Sequence, residues 1–169
     1  RTAKAAFLAA MAGLATTAAT YTYGSGNQIE QLPIVLRSIE PSYLSHDFFV
    51  NSASGFGPRF YFAEFIAAVA GSPSRVPAVY LALTALSNVA VSLVTFFFAR
   101  ALYAKSDEAG LLASAAVMSV TTFPLGFCPA IYHASLVPAA LGSPWIFAGI
   151  FASVRGRLVL GSTLCGIAS

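Results

Sequence analysis

Charged residues are scarce in this chain. They make up 9% of its 169 residues, whereas a soluble domain usually carries about 25%. So few charges cannot cover a water-exposed surface of this size, which argues against a soluble globular fold. The charges that exist are clustered, since none occurs over residues 5–28, 76–99 or 109–154. A helix needs about 20 apolar residues to cross the bilayer core, so the sequence predicts a polytopic membrane protein.

Metal-binding and nucleic-acid-binding patterns are also lacking. Cys128 and Cys165 are isolated in apolar surroundings, which predicts neither a metal site nor a disulfide framework. The nine basic residues are dispersed, so the net charge of +3 does not indicate a nucleic-acid partner. No Walker loop, zinc-ligand spacing, nucleophile elbow or dinucleotide fingerprint occurs. We therefore expect no metal and no cofactor.

The apolar segments that are present predict an all-α transmembrane helical bundle. The predicted spans are residues 5–21, 77–103, 107–123 and 134–154, with the start of a further span at 158–169. An uncleaved first span is preferred to a signal peptide, because more spans follow it. The sequence begins without an initiator Met and ends inside an apolar run, so we interpret it as an N-terminal fragment of a longer protein.

The segment 24–75 is the most polar, and two short helices are predicted in it. Asn27 as N-cap and Glu30 three residues later form a capping-box pattern at the start of the first helix. Its predicted apolar face consists of Ile29, Leu32, Leu36 and Ile39.

The second short helix is predicted from Pro58 to Gly71. Its length of about 21 Å is less than the bilayer core of about 30 Å. We expect it to pack at the interface or to be re-entrant, with a short tilted crossing as the alternative.

Three basic groups, near residues 1–4, 100–105 and 155–157, fall on one side of the membrane if that helix does not cross. The excess of Lys and Arg on cytoplasmic loops then predicts a cytoplasmic N-terminus. The loop 24–75 and the turn 124–133 are predicted outside.

Asp47 is the first candidate for chemistry, because apolar residues surround it in the outer loop. Burial at the interface would raise its pKa and suit it to act as a base. The alternatives are that it caps a turn or pairs with Arg59. Glu30 is a second candidate acid, with helix capping as its alternative role.

Four further residues are candidates for substrate binding. Asn27 and Gln28 can hydrogen-bond a sugar or a phosphate, and Arg59 can hold a phosphate by a two-pronged contact. The alternative for Arg59 is an interfacial anchor or a partner of Glu64. His133 in the outer turn can contact a substrate or act as a polar anchor.

The order of these elements resembles the start of a GT-C-fold glycosyltransferase. The stretches that carry the resemblance to a GT-C-like group of uncharacterised bacterial membrane proteins are residues 23–28, 32–33, 47–49, 56–60, 132–133 and 137–138. The resemblance implies residence in a bacterial inner membrane and use of a polyprenyl-phosphate-linked sugar at its outer face. The family's acidic residue after the first span is replaced here by Asn27 and Gln28, so Asp47 or Glu30 would supply the base.

Two other function classes stay open. A transporter or flippase segment places ionisable or broken-helix features at mid-membrane, whereas the predicted spans carry no charge in their interiors. A non-catalytic membrane scaffold fits the absence of the family's acid at Asn27 and Gln28. Membrane lipid is the expected partner in each case.

Overall fold

The computed structural model describes residues 1–55, 59–119 and 136–168, and these residues form helices and turns without any strand. The all-α class that the sequence predicts is therefore confirmed for them. The helices in chain order are α1 Thr2–Thr20, α2 Gln28–Ile39, α3 Phe48–Ala53, α4 Phe60–Ala70, α5 Val76–Leu102, α6 Asp107–Ser119, α7 Pro138–Val154 and α8 Leu158–Ala168.

Two of the described helical segments are long and apolar enough to cross a membrane. They are Thr2–Thr20 and Pro73–Leu102, and the second joins a short 3-10 turn to α5. The apolar helices α4, α7 and α8 are shorter. Helices α6, α7 and α8 coincide with the described parts of the predicted spans 107–123, 134–154 and 158–169. The predicted turn 124–133 lies outside the described residues.

Small residues and hydroxyl groups join α1, α5 and α6. A Cβ added at Gly13 of α1 would lie 2.7 Å from the backbone oxygen of Asn88 in α5, so the two backbones approach closely. The Ser92 hydroxyl donates to the Ala9 carbonyl at 2.7 Å, and the Ser114 hydroxyl of α6 donates to the Ser92 carbonyl at 2.8 Å. Small residues and interhelical Ser hydrogen bonds are typical of helix packing in membranes.

The three basic groups lie at one end of this bundle. Arg1 and Glu108 form an ion pair at 3.3 Å, and Arg100 and Asp107 form another at 2.7 Å. The rings of Phe98 and Phe151 are 5.7 Å apart, which brings the end of α7 to the same end of α5. The N-terminus, the α5–α6 turn and the α7–α8 turn are therefore neighbours.

Helices α2 and α4 cover the opposite end. Their buried apolar side chains share one core with Tyr80 of α5 and the residues that begin α7. The Phe62 ring of α4 lies 6.2 Å from the Tyr80 ring, which places α4 against the first part of α5. Helix α4 ends at Gly71, whose φ of 63° is left-handed, so the predicted end is confirmed. Its predicted first residue, Pro58, lies outside the described residues.

The predicted apolar face of α2 is confirmed for Leu32, Leu36 and Ile39, which pack against the core, and is wrong for Ile29. Ile29 is 65% exposed, and the buried residues are Gln28, Gln31, Ile34 and Val35. The buried side of the helix also includes its glutamines, and the Gln28 amide bonds the backbone of Gly24 and Leu136 there.

Candidate functional site

Glu30 and Arg59 come together at the cap formed by α2, α3 and α4. Glu30 lies in the first turn of α2, Arg59 precedes α4, and their side chains form an ion pair. The expected capping box is therefore wrong, because the Asn27 side chain makes no capping hydrogen bond and Glu30 reaches Arg59 instead. A guanidinium has five N–H donors, so one contact with Glu30 leaves donors that could bind an anion.

Asp47 caps α3. Its Oδ1 accepts a hydrogen bond from the Val50 backbone N–H at 2.8 Å, which is the helix-capping role considered from the sequence. The alternative pairing with Arg59 is not seen among the described ion pairs. The side chain is exposed, so this fold does not provide the burial that the base role invoked. A capping carboxylate keeps a second oxygen that can still accept a proton.

Gln28 is fully buried and structural. Its Oε1 accepts from the Gly24 backbone N–H at 2.8 Å, and its Nε2 donates to the Leu136 carbonyl at 3.3 Å. The amide thus links the loop after α1 to the start of α7 and is not presented to a substrate. Its neighbour Asn27 is exposed and remains open to solvent. His133 lies outside the described residues.

Sequence reasoning missed a set of buried polar groups beneath the cap. The hydroxyls of Tyr21 and Tyr80 and the Oε1 of Gln31 have no hydrogen-bond partner among the described residues. Each buried unsatisfied group costs about 1–3 kcal/mol, and such groups are uncommon in folded proteins. The only signal in the sequence is the spacing of Gln31 three residues after Gln28, which places both on one face of α2.

Tyr23 extends this set toward the surface. Its ring packs edge-on against Tyr80, with the centroids 5.9 Å apart. Burial, and secondarily the neighbouring Tyr43, raise the pKa of Tyr23 above its ordinary value of 10.0. The phenol hydroxyl at this position can donate a hydrogen bond.

No group of three or more His, Cys, Asp or Glu side chains that could hold a metal ion occurs within residues 1–55, 59–119 and 136–168. No family model matches the chain, and no curated protein or solved structure matches it.

Proposed function

We propose that the chain is the membrane-embedded part of a GT-C-like glycosyltransferase that uses a polyprenyl-phosphate-linked sugar at the outer face of a bacterial inner membrane. The observation that carries the proposal is the meeting of Glu30 and Arg59 on the cap that also contains Asp47. The cap lies at the end of the bundle opposite the three basic groups. It therefore combines carboxylates and a guanidinium beside the ends of two apolar helices.

The proposed reaction is sugar transfer to an acceptor hydroxyl. Arg59, oriented by Glu30, contacts the carrier phosphate with its remaining N–H groups. The acceptor oxygen attacks the anomeric carbon, and the bond from that carbon to the phosphate oxygen breaks. Polyprenyl phosphate leaves with the bonding electrons, and the Asp47 carboxylate takes the acceptor's proton.

The position of the basic residues supports an outer location for the cap. Basic residues are enriched on the cytoplasmic side of membrane helices. The end that contains Arg1, Arg100 and Arg155 is therefore assigned to the cytoplasm, and the cap to the outer side. A lipid-linked sugar donor would reach the cap from the adjacent leaflet.

Replacement of Asp47 by Asn tests the base role without removing the helix cap. Asn caps helices about as well as Asp, so α3 and membrane insertion should be preserved while the carboxylate is lost. We expect membranes that contain the Asp47→Asn variant no longer to release polyprenyl phosphate from polyprenyl-phosphate-linked sugars. Glu40→Gln, which removes another exposed carboxylate of the outer loop, is the matched control and should retain activity. Retained activity in Asp47→Asn would exclude Asp47 as the base.

A non-catalytic membrane scaffold is the second candidate, and one observation favours it. Gln28 stands at the place of the family's acidic residue and has both ends of its amide bonded inside the protein. It contributes to folding and offers nothing to a substrate. Release of polyprenyl phosphate by the unaltered protein would exclude this alternative.

A further inference from the structure

A cavity of about 270 Å³ lies between α4, α5 and α7. Its lining residues are Phe65 of α4, Leu83, Leu86, Ser87 and Ala90 of α5, and Leu141, Pro144 and Trp145 of α7. Binding sites for whole small molecules usually measure about 300–1,000 Å³. This cavity is therefore sized for one segment of a ligand rather than for a complete small molecule.

The lining is almost entirely apolar, and besides the Ser87 hydroxyl its only polar side-chain group is the indole N–H of Trp145. Ser87 is the only residue of the lining with a side-chain hydroxyl, and it donates its hydrogen to the Ala140 carbonyl. No charged side chain lines the cavity. One indole N–H cannot replace the several hydrogen bonds that a sugar, phosphate or peptide makes with water, so the cavity suits a hydrocarbon.

The cavity belongs to the outward surface of a helix that is long and apolar enough to cross a membrane. Leu86 of that helix is 65% exposed, and Phe65 and Trp145 beside it are each 45% exposed. The apolar lining is thus continuous with the side of α5 that would face lipid. The cap closes the end of the bundle nearest to the cavity, because α4 contributes to both.

We propose that this cavity binds one acyl chain of a membrane phospholipid from the leaflet on the side of the cap. The acyl chain enters between Leu86 and Trp145 and lies against the small residues Ser87 and Ala90. The inference rests on the membrane residence contained in the proposed function and is independent of sugar transfer.

Trp145 makes the inference testable, because it is the single tryptophan of the chain. The 169-residue chain is reconstituted into phosphatidylcholine vesicles whose acyl chains carry bromine, which quenches indole fluorescence on contact. We expect Trp145 to lose most of its fluorescence relative to vesicles without bromine. Flotation of the chain with the vesicles tests membrane residence separately, so failure of the proposed localisation is distinguished from failure of the cavity.

Two Ala-to-Leu substitutions distinguish an acyl chain bound in the cavity from contact of Trp145 with bulk lipid. Ala90→Leu fills the cavity, and we expect it to reduce the quenching. Ala82→Leu adds the same side chain at an exposed position of α5 outside the lining. In this variant the fluorescence of Trp145 should be quenched to the same extent as in the unaltered protein. Absence of quenching in the unaltered chain would mean that protein covers the cavity and would overturn the proposal. Equal quenching in Ala90→Leu and the unaltered chain would also overturn it, because Trp145 would then report bulk lipid only.

Discussion

Ser87 replaces a hydrogen bond that Pro144 removes from α7. Proline has no backbone N–H, so the carbonyl four residues earlier in the helix, that of Ala140, has no helical donor. The Ser87 hydroxyl of α5 donates to this carbonyl. In membrane helices, Ser side chains on neighbouring helices satisfy the backbone groups that proline leaves unpaired. The Ser87 hydroxyl therefore satisfies the unpaired carbonyl of α7 and also links α7 to α5.

The replacement Ser87→Ala should destabilise the protein through this carbonyl alone. We expect a loss of about 0.6–1.7 kcal/mol, the range for side-chain hydrogen bonds between membrane helices. In a Pro144→Ala background the restored N–H can bond Ala140, so the loss on Ser87→Ala should be smaller there. Unfolding by SDS titration of the four proteins of this cycle measures the coupling.

Ser162→Ala is the matched control, because the Ser162 hydroxyl donates to the Leu158 carbonyl within its own exposed helix. It should change the free energy of unfolding little. An equal cost of Ser87→Ala with and without Pro144 would show that the serine does not compensate for the proline.

The proline at position 144 shows from the sequence that α7 lacks one backbone donor, but the sequence does not show which residue replaces the lost hydrogen bond. The donor and the acceptor are 53 positions apart in the chain. A serine inside an apolar run looks the same whether it bonds its own helix or another. The same limit applies to Gln31, because periodicity assigns an amide to the polar face of α2 and cannot show that this face is buried.

At the scale of elements, the close approach of α1 and α5 depends on Gly13. A Cβ at this position would lie 2.7 Å from the Asn88 oxygen and 2.8 Å from the Val89 Cα, and both are backbone atoms that cannot turn aside. We expect Gly13→Ala to lower the free energy of unfolding by about 1–3 kcal/mol, the usual cost of overpacking. Unfolding in detergent micelles measures it.

Gly166→Ala provides the comparison for this substitution. Gly166 lies in α8, and an added Cβ there would meet no atom within 4 Å. Because Ala favours helices over Gly, this variant should be neutral or stabilising by up to about 1 kcal/mol. Equal effects of the two substitutions would mean that helix propensity alone is being measured and that the α1–α5 contact is looser than described.

Helix existence and ends were the most predictable features. The described ends of α1, α4 and α5 lie within a few residues of the predicted ones, because runs without charge and residues such as Gly71 determine them locally. The burial of Gln28 on α2 was not predicted, because it involves a contact with Leu136 far along the chain. Local pattern therefore places helices, and distant polar contacts orient them.

At the scale of the whole molecule, the candidate residues were predictable as members of one loop but not as partners. Glu30 lies in α2 and Arg59 lies immediately before α4, 29 positions further along the chain. The sequence offered Asp47 and Glu64 as alternative partners of Arg59. Only the packing of α2 on α4 selects Glu30 as the partner of Arg59, and Asp47 has no ion pair among the described residues.

The arrangement of the bundle predicts that its two ends label from opposite sides of a membrane. With Cys128 and Cys165 replaced by alanine, Ser45→Cys marks the exposed loop before α3, and Lys4→Cys marks the basic end near Arg100. Because basic residues are retained in the cytoplasm, a membrane-impermeant thiol reagent should label position 45 in intact cells and position 4 only after the cells are opened. The reverse pattern would move the cap, with Asp47, into the cytoplasm and would contradict the use of an outer-face sugar donor. Labelling of both positions in intact cells would contradict the bundle as a membrane-spanning unit, because the two ends are separated by the length of α1.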